Sequence, residues 1–139
     1  MLRRKQFVGL MKKRRDQPEA RLLRHILIML RAKGIHAGKV KSKGSSIMKG
    51  RARIFIKDNR QMLGLPDAFA FDGRIMYAIE TKVKPNTPTD EQRFFAEFFH
   101  HPPYRVYVLA YDWESVEDMV EMMRTRHPNL TRLLTFRKG

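Results

Sequence analysis

The dipeptide Asp72-Gly73, set between two apolar runs, constrains this chain more than any other feature. Asp-Gly between alternating apolar residues is among the strongest short-range signals of a tight β-hairpin, because glycine takes the positive φ that such turns need. It predicts antiparallel strands over residues 65–71 and 74–83. With Asp72 and Gly73 as the two turn residues, Phe71 faces Arg74, Phe69 faces Met76 and Asp67 faces Ala78. Residues two apart in a strand share a face. Asp67, Ala78, Glu80 and Lys82 therefore lie on one face, with Asp67 and Glu80 as diagonal neighbours about 7–8 Å apart at the backbone. A one-residue slip of one strand would part them.

The elements around the hairpin follow from periodicity and caps. Leu22, Leu23, Ile26, Leu27, Met29 and Leu30 recur at helical spacing. Asp16 as cap, Pro18 in the first turn and Gly34 at the end bound a helix over residues 16–33. A short strand over 35–40 leads to a loop over 41–50, marked by Gly44, Ser45, Ser46 and Gly50. Residues 53–57 are β-branched and aromatic and read as strand. A second helix over 89–99 carries the stripe Phe94, Phe95, Phe98 and Phe99 and stops before Pro102-Pro103. A strand over 104–110 follows. Ser115, with Asp118 completing a capping box, then opens a helix to residue 126. The order is helix, three or four strands, helix, strand, helix. That is an α/β fold, a mixed sheet with helices on its faces. The domain spans residues 16–127, between a basic arm (1–15) and a tail (128–139).

Composition narrows the function. The 139 residues suit one core, and 42% hydrophobic content excludes wholesale disorder. Without cysteine there is no disulfide, thiolate metal site or Cys nucleophile, which fits a cytoplasmic, or otherwise intracellular, protein. No apolar run approaches the ~20 residues that span a bilayer. The net charge of +15 calls for a polyanion, nucleic acid before an anionic membrane surface. Arg3, Arg4, Lys5, Lys12, Lys13, Arg14 and Arg15 fill the arm with no acid among them. A mitochondrial presequence shares that bias, but this stretch is short and poor in serine. Lys39, Lys41, Lys43, Lys49, Arg51 and Arg53 precede the hairpin and Lys84 follows it. They are placed to hold a phosphate backbone without reading sequence; otherwise they form a solvated charged loop.

Two carboxylates on one face repel each other, and burial raises their pKa values. A divalent cation resolves the conflict, and an oxygen-only set favours Mg²⁺ or Mn²⁺. Lys82 beside them can hold an attacking water or stabilise charge growing on a phosphate. The set suits phosphodiester hydrolysis. The alternative is a strand-end Asp67 and an ordinary exposed Glu80–Lys82 pair. Ala78, Ile79 and their apolar neighbours indicate a central strand, where Glu and Lys are costly unless used or paired.

Gly64-Leu65-Pro66-Asp67 followed by Glu80-Thr81-Lys82 resembles the PD-(D/E)XK nuclease signature, and in detail the VRR-NUC group, the virus-type replication-repair nucleases. The resemblance runs over residues 16–114, in the order Glu19, Asp67, Glu80, Lys82 and Gln92. It implies a restriction-endonuclease-like αβββαβ core. Asp67 and Glu80 would ligate Mg²⁺ or Mn²⁺, with the Thr81 backbone carbonyl and Glu19 assisting. Lys82 would position water or stabilise the transition state, and Gln92 would support the site. Each of two of these has a second reading. Glu19 lies three residues after Asp16, and Gln92 three after Thr89, the capping-box spacing. The resemblance further implies a standalone viral or bacterial form, often a homodimer, acting on branched DNA such as Holliday junctions in repair or recombination. A noncatalytic nucleic-acid-binding module on the same fold is the competing reading. His25, His36, His100 and His101 show no metal-like spacing with acids and read as surface or helix-end residues.

Overall fold

A computed structural model describes residues 18–40, 45–49, 52–56 and 63–132, the two middle segments as backbone. In chain order the elements are α1 (Pro18–Ala32), β1 (His36–Lys39), β2 (Ser45–Lys49), β3 (Ala52–Ile56), β4 (Ala68–Asp72), β5 (Ile75–Thr81), α2 (Asp90–Phe99), β6 (Arg105–Ala110), α3 (Trp113–Arg126) and α4 (Pro128–Thr131). Four strands form one sheet in the order β1-β4-β5-β6. The first three are antiparallel and β6 runs parallel to β5. This is the expected mixed α/β sheet, with α1, β1, β4, β5, α2 and β6 as the αβββαβ core.

Residues 45–49 are strand, not loop. β2 pairs with β3 from Ser45↔Ile56 to Lys49↔Ala52, a two-stranded sheet of its own. Gly44 and Gly50 lie outside the described residues, and Ser45 and Ser46 fall within β2. The apolar pair Ile47-Met48 suits a strand, and two residues separate β2 from β3 in the sequence, the commonest hairpin spacing.

The predicted hairpin forms with its turn one residue later. Asp72 pairs with Ile75, so Gly73 (φ +62°) and Arg74 make the turn and Phe69 faces Ala78. The cause is tertiary. The buried Asp72 carboxylate accepts from Arg124 of α3, Nε at 2.7 Å and Nη2 at 3.2 Å, which draws Asp72 into β4. The Arg74 N–H donates to the Leu130 carbonyl of α4, and a Cβ at Gly73 would collide with that carbonyl. The register moves by two positions along β5, an even number, so every side chain keeps its predicted face.

β5 is interior and buried on both faces. Ile75, Tyr77 and Ile79 pack with Leu23, Ile26, Leu27 and Leu30 of α1 and Val116 and Val120 of α3. On the other face Ala78 meets Phe95 and Phe99 of α2, flanked by Phe69, Met76 and Tyr107. Half of the predicted phenylalanine stripe is therefore core. Phe94 and Phe98 are 75% and 63% exposed. A short helix buries one narrow strip against a flat sheet, and the 95/99 pair, one turn apart, takes it. With Leu63, Phe94 and Phe98 line an open apolar groove of about 760 Å³ that Asp90 and Glu91 also line.

The start of α3 also differs. Its cap is Asp112, whose Oδ1 accepts from the Ser115 N–H at 2.7 Å, and hydrogen bonding from Ser115, by its side chain and then its backbone, holds the Asp112 carboxyl below its usual range. Ser115 thus lies inside the first turn. A carboxylate outdoes a hydroxyl at a helix N-terminus because it also meets the helix dipole. Asp16, the expected cap of α1, lies outside the described residues. Among the described residues no helix is long and apolar enough to cross a membrane.

Candidate active site

The site forms where the C-terminal end of β5 meets the N-terminus of α2. Glu80, on the α2 face of an interior strand, is 3% exposed. Its Oε1 accepts from the Gln92 side-chain amide at 2.7 Å and lies 3.6 Å from Lys82 Nζ. Its Oε2 is buried with no protein partner. Burial, and then the nearby Asp67 charge, push the Glu80 carboxyl up to about 7, with Lys82 pulling the other way. Glu80 is thus a carboxyl in need of a cation.

Asp67 immediately precedes β4, and one further step of the register sets it opposite Glu80. Its Oδ2 accepts from the Thr81 backbone N–H at 2.8 Å and from the Thr81 hydroxyl at 2.7 Å. Its carbonyl accepts from the Val40 N–H at 2.8 Å. The segment before it runs close under α2. Gly64 has φ +77°, and a Cβ there would collide with the Glu91 backbone, so only glycine lets the chain pass. Pro66 is fully buried. The Gly-x-Pro-Asp pattern is thus a close approach followed by a fixed acid.

Gln92 satisfies both of its sequence readings at once. Its Oε1 accepts from the Thr89 N–H at 2.9 Å while its own N–H donates to Thr89 Oγ1 at 3.2 Å, a complete capping box. That leaves the amide nitrogen for Glu80. The cap fixes which end of the amide points at the carboxylate.

Glu19 stands nearby in the first turn of α1. Its charge adds to the upward push on Glu80, and its Oε1 accepts from Asn86 Nδ2 at 3.2 Å. Asn86 is in turn held through its carbonyl by the Tyr111 hydroxyl at 3.2 Å. Among the described residues, no three His, Asp or Glu side chains gather closely enough to form a ready metal cluster. The structure brings Asp67, Glu80, Thr81, Lys82 and Gln92 together and leaves Glu19 at the rim.

The basic residues are distributed more widely. Lys39 is exposed at the end of β1, opposite Ala68. Lys84 is exposed beyond β5, and its charge contributes to the lowering of Asp112. Lys49 ends β2 and Arg53 lies in β3, opposite Met48. Lys41, Lys43 and Arg51 lie outside the described residues. His25, His36, His100 and His101 are all exposed. His100 Nδ1 accepts from the Tyr107 N–H at 3.0 Å, and His101 lies 3.0 Å from Arg105.

Asn86 and the Thr81 hydroxyl are contributors that sequence reasoning missed, and Tyr107 is a neighbour packed on the same face of the sheet. Asn86 sits in a turn-forming stretch and reads as a turn residue. Alternation along residues 104–110 does place Tyr107 on one face with Arg105 and Leu109, but not which face.

No family model matches the chain, and no curated protein does. A solved structure described as a VRR_NUC domain superposes with a TM-score of 0.52 at 19% identity, covering 76% of this chain and 97% of that one. The chain therefore has the fold of a VRR_NUC domain, the restriction-endonuclease-like arrangement expected from residues 64–67 and 80–82.

Proposed function

We propose that this chain, with its VRR_NUC fold, is a Mg²⁺- or Mn²⁺-dependent endonuclease that hydrolyses phosphodiester bonds in branched DNA. The observation that carries the reading is the buried, unpartnered Oε2 of Glu80, facing the same region as the Asp67 carboxylate in a chain of net charge +15. A passive DNA binder gains nothing from two acids where phosphate must approach.

The donors fit a hard divalent cation. Such an ion takes oxygen ligands and is commonly held by one or two carboxylates and water. Asp67 and Glu80 would hold it, with the Thr81 carbonyl, and Glu19 through water. When bound it supplies charge to the scissile phosphate and acidifies a water ligand. The residues do the rest. Thr81 fixes the Asp67 carboxylate by two hydrogen bonds. Gln92, locked by its cap, fixes Glu80. Lys82 orients the attacking water and offsets charge growing on the phosphate. Lys39, Lys41, Lys43, Lys49, Arg51, Arg53 and Lys84 hold the backbone of the DNA. Branch selectivity and action as a homodimer follow the family resemblance.

One panel tests the reading: labelled duplex, single strand, flap and four-way junction, each with Mg²⁺, Mn²⁺ or chelator. Cleavage of the junction or flap that chelator stops is the expected result. Asp67→Ala and Lys82→Ala should each lower cleavage at least a hundredfold and leave DNA binding within a few-fold of wild type. Full cleavage by Asp67→Ala protein would sink the assignment. Salt-sensitive binding with no cleavage on any substrate would identify a noncatalytic module.

A further inference from the structure

Among the described residues, two unpartnered polar atoms are buried on the α2 face of the sheet, Glu80 Oε2 and the Tyr107 hydroxyl. Tyr107 lies on β6 directly beside Ala78 of β5, one strand over and one same-face step back from Glu80. Its ring packs 6.3 Å from that of Phe95, the residue three beyond Gln92 on α2. The acidic cluster and this phenol thus share one wall. A third such atom, the Tyr77 hydroxyl, belongs to the opposite face and the neighbourhood of Asp72 and Arg124.

A buried hydroxyl without a partner costs about 1–3 kcal/mol. Phenylalanine would fill the same space without that cost, as Phe69, Phe95 and Phe99 do around it. Burial, and then the charges of Glu80 and Asp67, raise the Tyr107 phenol above its ordinary range, so it stays protonated and able to donate. A donor kept beside two carboxylates, and bonded to neither, is matched to oxygens that arrive with a ligand.

We propose that Tyr107 is a positioning residue of the acidic cluster, its hydroxyl donating to the oxygen shell that Glu80 presents to a divalent cation. The inference rests on the proposed metal dependence and adds a residue to it. Groups that orient metal ligands from behind typically carry 10- to 100-fold in affinity.

Calorimetric titration of Mn²⁺ into the full chain without DNA tests it, comparing wild type with Tyr107→Phe. The expected result is a Kd raised about 10- to 100-fold, with thermal stability in chelator unchanged or higher because the unpartnered hydroxyl is gone. A purely structural hydroxyl predicts an unchanged Kd, and equal Mn²⁺ affinity in a folded variant overturns the inference alone. Wild-type protein that binds no Mn²⁺ overturns the proposed function and the inference with it. Should the variant not fold, NMR of tyrosine-labelled wild type decides. Movement of the Tyr107 Cζ resonance on saturation with Mg²⁺ supports the role, and a resonance that stays in place refutes it.

Discussion

Glu80→Gln should make this protein more stable while removing a ligand of the proposed metal site. The Glu80 carboxyl, ordinarily near 4.5, is pushed up to about 7 in the fold, chiefly by burial and then by Asp67. At about 1.36 kcal/mol per pH unit, its ionised form is disfavoured in the folded state by roughly 3 kcal/mol. The direction follows from proton binding. Between about 4.5 and 7 the folded chain holds this proton and the unfolded chain has released it. Stability therefore falls as pH rises through that window, and the loss is complete above 7. A glutamine at position 80 carries no charge and keeps the carbonyl oxygen that accepts from Gln92 Nε2. It forgoes only the attraction of Lys82, 3.6 Å away. At pH 8 in chelator the variant should unfold in urea with about 1–3 kcal/mol more stability and an unchanged slope. At pH 5, where the folded group is protonated but the unfolded one is already largely ionised, the gain should shrink to about a quarter of its value at pH 8. Saturating Mn²⁺ should reverse the order, since only the wild type gains by ligand binding. A variant no more stable than wild type at pH 8, or a gain at pH 5 as large as that at pH 8, would refute the reasoning.

Other substitutions probe what holds the site in place. Arg124→Met leaves the buried Asp72 carboxylate without its two hydrogen bonds and should cost about 3–5 kcal/mol in urea unfolding. An equal loss on double substitution with Asp72→Asn would show that the charge is not the cause. Phe95→Ala should cost about 3–5 kcal/mol, while Phe94→Ser, one residue away but 75% exposed, should stay within about 0.5 kcal/mol. Thermal melts of the pair decide whether the buried strip of α2 is the one described.

Much of this protein is written in short stretches. Asp72-Gly73 between apolar runs specified a hairpin, and strand alternation placed Asp67, Glu80 and Lys82 on one face. That survived a shift in the turn, because the register moved by two and side chains alternate with a period of two. Thr89 and Gln92 announced a helix start at the capping-box spacing, and the cap formed. These are local matters, decided by backbone geometry within a few residues.

Other features depend on partners far away in the chain. The turn moved because Arg124, 52 residues on, takes Asp72 and because Leu130 meets Arg74. Four phenylalanines look alike along the helix, and only the sheet beneath chose Phe95 and Phe99 as core. Gln92 read as either cap or site residue until Glu80 was seen to lie within reach of its nitrogen. Asn86 and Tyr107 carry no local signature that ties them to the acidic cluster. Their relation to the acidic cluster arises from packing a turn against α1 and a strand against β5. Sequence periodicity sets which side of an element a residue faces, whereas packing sets what it meets there.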